Sequence, residues 1–284
     1  MKKICVFQKK AVTLHPLLKK LFRAGSSSAR LECLLWEQEV VSSNLAYPTK
    51  RSVKTTHLFF MKYKAIFIDI DDTLLDYIPC CRAAFESAMP DHPEWFDIFF
   101  TISGRLFSEA KHGKYSIAEV MELYPKEFIA AIGYPESAVD SFKHAFRAAW
   151  GTTHTLVPGT LETLEALQRK GYRLFAASNS FGHLQRSRLE HAGILRFFED
   201  AYISMDIGYD KPDVRFYEEA LRRCGLQPHE VLMVGDSMTT DILGAQKAGL
   251  ATVYFNRRNE SLPVTGNPSP LTVITSLPQL LQYV

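Results

Sequence analysis

Acidic and hydroxyl side chains recur in this sequence at points where an apolar run gives way to a polar loop. In chain order they are Asp69, Asp71, Ser178, Asp236 and Asp241. Two carboxylates placed two residues apart at a strand end are costly to bury without a counter-ion, and a hard divalent cation would relieve their repulsion. The set therefore predicts a metal-assisted site that binds an anionic ligand.

Each of these clusters also has an ordinary structural interpretation. Ser178 and Asn179 could bind a phosphate at a helix N-terminus, or simply cap that helix. Lys211, which precedes Pro212, could reach an anion or be a solvated surface lysine. Asp241 would also be explained by a favourable helix dipole. Taken together, however, independent accidents do not explain a carboxylate pair, a hydroxyl, a lysine and a second carboxylate pair at successive strand ends.

The elements that must position these residues alternate along the second half of the chain. Strands are predicted at about 64–70, 172–177, 201–203, 231–234 and 251–255, and helices at about 159–170, 183–192, 213–224 and 238–249. This alternation predicts an α/β fold with a doubly wound parallel sheet. Ligands of such sheets bind beyond the carboxyl ends of the strands, which is where the polar clusters lie.

A different pattern separates the first strand from the second. Between residues 79 and 156 the apolar side chains fall at helical spacing and no strand is indicated. The sequence therefore predicts an inserted all-helical domain. The predicted organisation is a leader at 1–60, a core domain made of 61–78 and 157–284, and a helical cap at 79–156.

The first sixty residues differ from the rest in charge. The chain of 284 residues has a net charge of +2, but the leader is strongly basic and has no acidic residue before Glu32. Residues 36–50 resemble peptides produced when a tRNA gene is translated in error, and the alternatives are a transit peptide and a genuine basic arm. Under all three interpretations the leader is not part of the catalytic fold. We expect it to be disordered or not part of the native protein.

Composition narrows the cellular compartment and the partners expected for this protein. Hydrophobic residues make up 46% of the chain and charged residues 23%, as in ordinary globular proteins. The five cysteines include no CxxC pair, which favours a reducing, cytoplasmic compartment over a disulfide framework or a zinc site. No apolar run approaches the length of a membrane span. Neither a membrane nor a nucleic acid polymer is expected as a partner. The sequence gives no indication of oligomeric state.

The four clusters resemble the signature motifs of the haloacid dehalogenase (HAD) superfamily over roughly residues 61–284. The matching segments are Asp69-Ile-Asp-Asp-Thr73, Ser178 after an apolar strand, Lys211-Pro212, and Gly235-Asp236 with Asp241. The resemblance implies a Rossmann-like (Rossmannoid) core with a helical cap. It also implies a phosphatase that acts through an aspartyl-phosphate and depends on Mg²⁺.

The resemblance assigns a role to each residue. Asp69 would be the nucleophile, and Asp71 would protonate the leaving group and then activate water. The implied metal ligands are Asp69, Asp236, Asp241 and Asp71, the last through its main-chain carbonyl. The implied phosphate-binding residues are Thr73, Ser178, Asn179 and Lys211.

Three longer phrases, beginning at Ser178, Gly235 and Ala251, resemble bacterial pyrimidine 5′-nucleotidases of this superfamily. Those relatives usually have glycine where this chain has Ser180, a change that could narrow the approach to the phosphate. The expected substrate is a small phosphomonoester, most closely a nucleoside 5′-monophosphate.

Other functions stay open. The nearest alternative is a phosphatase for sugar phosphates or phosphoglycolate, followed by a phosphomutase, a haloacid dehalogenase and a non-catalytic ligand-binding protein. Asp71 argues against a dehalogenase, which needs no second acid at that position. Trp95, Phe96 and Phe99 could stack on a base, although their helical spacing favours a place in the core of the cap.

Overall fold

The computed structural model describes residues 62–259 and 270–284. The leader, for which disorder or absence from the native protein was predicted, lies outside these residues. Within the described ranges, no helix combines the length and the apolar character needed to cross a bilayer.

The centre of the fold is a six-stranded parallel sheet. Its strands are β1 Ala65–Ile68, β2 Arg173–Ser178, β3 Asp200–Ile203, β4 Val231–Gly235, β5 Ala251–Phe255 and β6 Thr272–Ile274. The strand order is β3-β2-β1-β4-β5-β6. The chain winds outward in one direction from β1 through β2 to β3, and in the other from β4 to β6. The predicted doubly wound α/β sheet is therefore confirmed, and β1 and β4 flank its switch point.

Four helices form the segment between β1 and β2. They are α1 Tyr77–Ala88, α2 Phe96–Lys111, α3 Ile117–Ala131 and α4 Ala138–Trp150. Their inward faces form an apolar cluster of their own, in which the ring of Phe99 lies 5.2 Å from that of Phe85 and 5.6 Å from that of Phe128. The prediction of helices without strands in this segment is confirmed, because apolar residues at helical spacing cover one face of each helix.

The helical segment is joined to the sheet by two linkers that run side by side. Leu75 of the outgoing linker forms an antiparallel bridge with Leu156 of the returning one. The main-chain N–H of Asp76 donates to the carbonyl of Thr155 at 2.8 Å, and that of Val157 donates to the carbonyl of Leu74 at 2.9 Å. The two ends of the insert are thus held together by main-chain hydrogen bonds.

Helices cover both faces of the sheet. They are α5 Thr160–Lys170, α6 Gly182–His191, α7 Ser204–Ile207, α8 Val214–Cys224 and α9 Gly244–Lys247, with a π-helix at Met238–Leu243 before α9. Because side chains alternate along a strand, β1 sends Ile66 and Ile68 into one apolar cluster and Phe67 into the other. Burial on both faces explains why β1 is a continuous apolar run. Truncating Phe67 to alanine would cost about 3–5 kcal/mol of stability.

The structure departs from the predicted elements at three places. β6 and α7 were not predicted, since each is only three or four residues long. The helix expected over 238–249 begins as a π-helix, in which the N–H groups of both Asp241 and Ile242 donate to the carbonyl of Ser237. This wider turn lies at the entrance to the polar site, a common location for π-helical segments.

Candidate active site

The polar residues predicted at the strand ends meet at the carboxyl edge of the sheet. Asp69 follows β1, Ser178 ends β2, and Asp236 follows β4. β1 pairs with β2 on one side and β4 on the other, so these three ends are adjacent. All three residues, together with Lys211 and Asp241, line one cavity of about 550 Å³.

Lys211 is the cation at the centre of the site. Its ammonium nitrogen Nζ donates to Asp69 Oδ1 and Asp241 Oδ1, both at 2.7 Å, and to the carbonyl of Ala177 at 2.8 Å. The residue is only 4% exposed, so the interpretation as a solvated surface lysine is wrong. Burial acts to lower the pKa of Lys211, but the carboxylates of Asp241 and Asp69 outweigh it and raise that pKa above its usual value.

Asn179 holds the main chain of this lysine. Its side-chain amide donates to the Lys211 carbonyl and accepts from the Lys211 N–H, both at 2.8 Å. These bonds use the carbonyl oxygen and one N–H of the amide. The observed contribution of Asn179 is therefore to position Lys211, and phosphate binding by its remaining N–H stays a prediction.

Three carboxylates form a cluster that suits a hard divalent cation. Asp69, Asp236 and Asp241 each offer an oxygen, and these oxygens all lie within 4.8 Å of one another. Burial raises the pKa of Asp69 to about 7, and burial with the charge of Asp69 raises that of Asp236 well above its usual value. Lys211 alone does not balance three carboxylates, and Lys111, which also lines the cavity, lowers the pKa of Asp236 without outweighing its burial. An oxygen-seeking cation such as Mg²⁺ would favour the ionised forms of all three. The donor set fits the predicted metal.

A glycine allows one of these carboxylates to come close. A side-chain carbon added at Gly235 would lie 2.3 Å from Asp241 Oδ2, so no larger residue fits without moving that carboxylate. The same oxygen accepts from the N–H of Ser237 at 3.0 Å. Asp241 is thus held between the end of β4 and Lys211, and it is only 1% exposed.

Asp71 belongs to the same cavity but faces other partners. Arg188 donates to its Oδ1 at 2.7 Å and Gln185 donates to its Oδ2 at 2.8 Å. The carboxylate does not belong to the group of three described above. The expected metal contact of Asp71 is through its main-chain carbonyl, and this contact stays a prediction.

Gln185 also supports the predicted phosphate-binding hydroxyl. Its amide donates to Ser178 Oγ at 2.9 Å, which leaves the hydroxyl hydrogen of Ser178 available to donate to an anion. Sequence reasoning missed both Gln185 and Arg188. The available signal was their i, i+3 spacing on a helix that directly follows a polar strand end, because such residues share one helix face.

Thr73 is not brought into the cavity. It is fully buried, and its hydroxyl has no hydrogen-bond partner among the described residues. Direct phosphate binding by this hydroxyl would require a rearrangement of the loop, so this role stays a prediction that the observed placement does not favour. Ser180, the departure from the expected glycine, lines a small neighbouring pocket rather than the main cavity.

Two arginines after β5 fix the loop that carries Asp71. Arg258 donates to both oxygens of Asp72, at 2.8 and 2.9 Å, and Arg257 pairs with Asp76. Asp72 has a left-handed backbone, with φ of 60°, and its side chain accepts from the N–H of Tyr77 at the start of α1. These contacts stabilise a conformation that is otherwise unfavourable for a residue other than glycine.

The helical segment supplies the other wall of the cavity. Four aromatic side chains belong to this wall, Tyr77, Phe100, Phe107 and Tyr115, together with small and polar residues and Lys111. Phe96 and Phe99 are instead buried within the helical segment, and neither they nor the half-buried Trp95 lines the cavity. The preference for a core position is therefore confirmed for Phe96 and Phe99.

The arrangement can support attack on a phosphoryl group. Asp69 presents a carboxylate next to a fixed ammonium group and to a cluster able to bind a cation. The hydroxyl of Ser178 is a donor for an anionic group, and Asp71 is a second carboxylate at the same cavity. Lys211 adds a positive charge, but its three N–H bonds are already used, so its contact with a phosphate stays a prediction. These are the parts needed for nucleophilic catalysis with general acid–base assistance.

Comparisons with known proteins agree with this chemistry. A family model described as haloacid dehalogenase-like hydrolase matches residues 63–249. A glyceraldehyde 3-phosphate phosphatase of Methanothermobacter thermautotrophicus is 31% identical over 78% of this chain and 99% of its own. The pyrimidine 5′-nucleotidase PynA of Streptococcus pneumoniae is 28% identical over 69% of this chain and 85% of its own.

A solved structure extends the likeness to the fold. It is the putative HAD-hydrolase YfnB of Bacillus subtilis, which was crystallised with bound magnesium. It is 26% identical, with a TM-score of 0.70 over 78% of this chain and 99% of that protein. The likeness covers both the sheet and the helical segment.

Proposed function

We propose that this chain, which belongs to the haloacid dehalogenase-like hydrolases and has phosphatases among its relatives, hydrolyses nucleoside 5′-monophosphates with the help of Mg²⁺. The observation that carries the choice of substrate is the cavity wall built by Tyr77, Phe100, Phe107 and Tyr115. Aromatic faces stack well on a flat heterocyclic base.

The proposed reaction begins at Asp69. Its carboxylate attacks phosphorus, the ester bond breaks, and an aspartyl-phosphate forms on the side chain. Asp71 gives its proton to the departing 5′-oxygen, which leaves as the neutral nucleoside. The hydroxyl of Ser178 donates to a phosphoryl oxygen, and the positive charge of Lys211 stabilises the charge that is concentrated there in the transition state; a direct bond from Lys211 would require it to exchange one of its present three.

The second half of the reaction restores the enzyme. Asp71, now ionised, takes a proton from a water molecule that attacks the phosphorus of the aspartyl-phosphate, and Asp69 is released with inorganic phosphate. Asp69, Asp236 and Asp241 would hold Mg²⁺. When bound, the cation would neutralise the carboxylates so that an anionic nucleophile can meet an anionic phosphate.

One comparison favours a second candidate. The relative with 31% identity is named as a glyceraldehyde 3-phosphate phosphatase, and the predicted alternative was a phosphatase for sugar phosphates or phosphoglycolate. A triose phosphate offers no aromatic surface, so the four rings on the cavity wall would then have no direct partner in the substrate. The two candidates share the same chemistry and differ only in the leaving group.

A substrate panel distinguishes the candidates. Phosphate release is measured with Mg²⁺ for pyrimidine and purine nucleoside 5′-monophosphates, glyceraldehyde 3-phosphate, other sugar phosphates and phosphoglycolate. We expect the highest kcat/KM for a nucleoside monophosphate, and activity confined to sugar phosphates would refute the nucleotide assignment. Asp69→Asn is the matched control, because it keeps the size of the side chain and removes the nucleophile. It should lower kcat by at least about 10³-fold.

A further inference from the structure

The carboxylate of Asp71 is held at both oxygens by one helix. Arg188 donates to Oδ1 at 2.7 Å and Gln185 to Oδ2 at 2.8 Å, and both donors project from α6. Two donors on two different oxygens fix the plane of a carboxylate, whereas a single contact leaves it free to rotate. The acid–base group of the proposed reaction is therefore oriented by residues that do not themselves line the main cavity.

Arg188 is itself immobilised from several sides. Its guanidinium carbon lies 3.8 Å from the centre of the Trp150 ring at the end of α4. Its Nε donates to the carbonyl of Thr153 at 3.1 Å, and its Nη1 also donates to the amide oxygen of Gln185 at 2.8 Å. A planar cation that is stacked and bonded in this way has almost no freedom to move.

Holding an arginine in this place has an energetic cost. Arg188 is 0% exposed, and its second terminal nitrogen, Nη2, has no hydrogen-bond partner within the described ranges. An apolar side chain of similar length would avoid the cost of burying a charge and an unsatisfied donor. Packing alone does not explain an arginine here, whereas a requirement to orient a carboxylate does.

We propose that Arg188, assisted by Gln185, is a positioning residue that holds the Asp71 carboxylate where it can exchange a proton with the leaving group and with water. This proposal rests on the acid–base role of Asp71 in the proposed function. Each Asp71 oxygen still has a lone pair after accepting one hydrogen bond, so the contacts orient the group without blocking it. Gln185 bonds Ser178 Oγ as well, so the acid–base group and a phosphate donor share one support.

The two chemical steps respond differently to a misplaced Asp71. p-Nitrophenolate is a weakly basic leaving group that departs without a proton, so formation of the aspartyl-phosphate from p-nitrophenyl phosphate hardly needs Asp71. Hydrolysis of the aspartyl-phosphate does need it as a base. With an alkyl phosphate such as a nucleoside monophosphate, both steps need it.

The test is stopped-flow kinetics of Arg188→Met with p-nitrophenyl phosphate. We expect a burst of about one p-nitrophenolate per active site, followed by a steady state about 10- to 100-fold slower than in the wild type. With uridine 5′-monophosphate we expect a similar loss of kcat, little change in KM and no accumulated aspartyl-phosphate. Loss of both steps with p-nitrophenyl phosphate, or a higher KM at unchanged kcat, would overturn the proposal.

A double-mutant cycle separates positioning from general damage. In an Asp71→Asn background, Arg188→Met should change the steady-state rate less than about twofold, because the group that it positions has already been removed. An undiminished loss in that background would show that Arg188 acts on the fold rather than on Asp71. Arg186→Met is the matched control on the same helix. Arg186 pairs with Asp206 and with the carbonyl of Ala201, and its loss should leave both steps unchanged.

A milder variant keeps the test decisive if Arg188→Met does not fold, as judged by circular dichroism. Gln185→Met removes the donor to Asp71 Oδ2 and leaves the ion pair of Arg188 in place. It should give the same burst with a smaller loss, and wild-type kinetics would refute the support assigned to Gln185. If the wild type hydrolyses p-nitrophenyl phosphate but no nucleotide, only the substrate assignment fails. If it hydrolyses no phosphomonoester, both proposals fail.

Discussion

Replacing Lys211 with methionine tests the electrostatic account of the site. The variant keeps an unbranched chain of similar length and removes the ammonium that bonds Asp69 and Asp241, both at 2.7 Å. At an effective dielectric constant of about 20, each contact corresponds to roughly 6 kcal/mol of attraction before desolvation is subtracted. The variant also avoids the cost of removing water from the ammonium on folding. The net loss of unfolding free energy should therefore be about 3–5 kcal/mol in metal-free protein near pH 8.

The loss of unfolding free energy caused by Lys211→Met should be smaller at low pH. The pKa of Asp69 is raised to about 7 in the folded protein, far above its value in an unfolded chain. The folded state therefore binds the extra proton, and stability falls as the pH rises from about 4 toward 7. Between pH 6 and pH 8 the wild type should therefore lose stability from this group. The Lys211 ammonium acts to lower the pKa of Asp69, so its removal should raise that pKa further, and the variant should lose more stability than the wild type over the same range.

Urea unfolding in EDTA at pH 6 and pH 8 measures both quantities. The loss of unfolding free energy caused by Lys211→Met should be larger at pH 8 than at pH 6. Lys143→Met is the control, because Lys143 pairs with Glu122 on the surface of the helical segment, and its loss should not be measurable. A Lys211 variant as stable as the wild type, or a penalty independent of pH, would refute the account.

Three further predictions concern the same cavity. Mg²⁺ should bind about tenfold more weakly at pH 6 than at pH 8, because the pKa of Asp69 is raised to about 7. Calorimetry in different buffers should detect the released proton. Equal affinities at the two pH values would contradict this pKa. Gly235→Ala should weaken Mg²⁺ binding, since the added carbon would lie 2.3 Å from Asp241 Oδ2, and unchanged binding would show that the carboxylate has room to move. Gly104→Ala, where the added carbon has no neighbour within 4 Å, should raise the unfolding free energy by about 0.5–1 kcal/mol. The same variant should raise KM, because Gly104 lines the cavity. A lower melting temperature than that of the wild type would contradict the expected gain in stability.

The sequence predicted the parts of the site that depend on strand ends. Asp69, Ser178 and Asp236 lie together because parallel strands bring their carboxyl ends to one edge, a rule that needs only the order of strands and helices. Lys211 was predicted either to reach an anion or to be a solvated surface lysine. Its hydrogen bonds to Asp69 and Asp241 exclude the second interpretation, and its contact with an anion stays a prediction.

The parts that were missed depend on contacts between distant segments. Gln185 and Arg188 lie in a helix with many polar residues, and nothing in that helix alone shows that Trp150 covers one of them. The aromatic wall was missed for a related reason. Helical periodicity assigns both Phe99 and Phe100 to the apolar side of α2. Only the packing of the four helices shows that Phe99 is buried and that Phe100 faces the cavity.

The paired linkers have a consequence for how such a protein can be altered. Because Leu75 and Leu156 form one antiparallel bridge, the chain leaves and re-enters the sheet at a single position, as it would in a tight hairpin. The free energy of closing a loop depends on the separation of its ends and only weakly on its length. The helical segment can therefore be exchanged as a cassette. A graft made at this bridge that retains Trp150 and Thr153, the two contacts of Arg188 in this segment, should change which phosphomonoester is accepted while the four carboxylates and Lys211 keep their places.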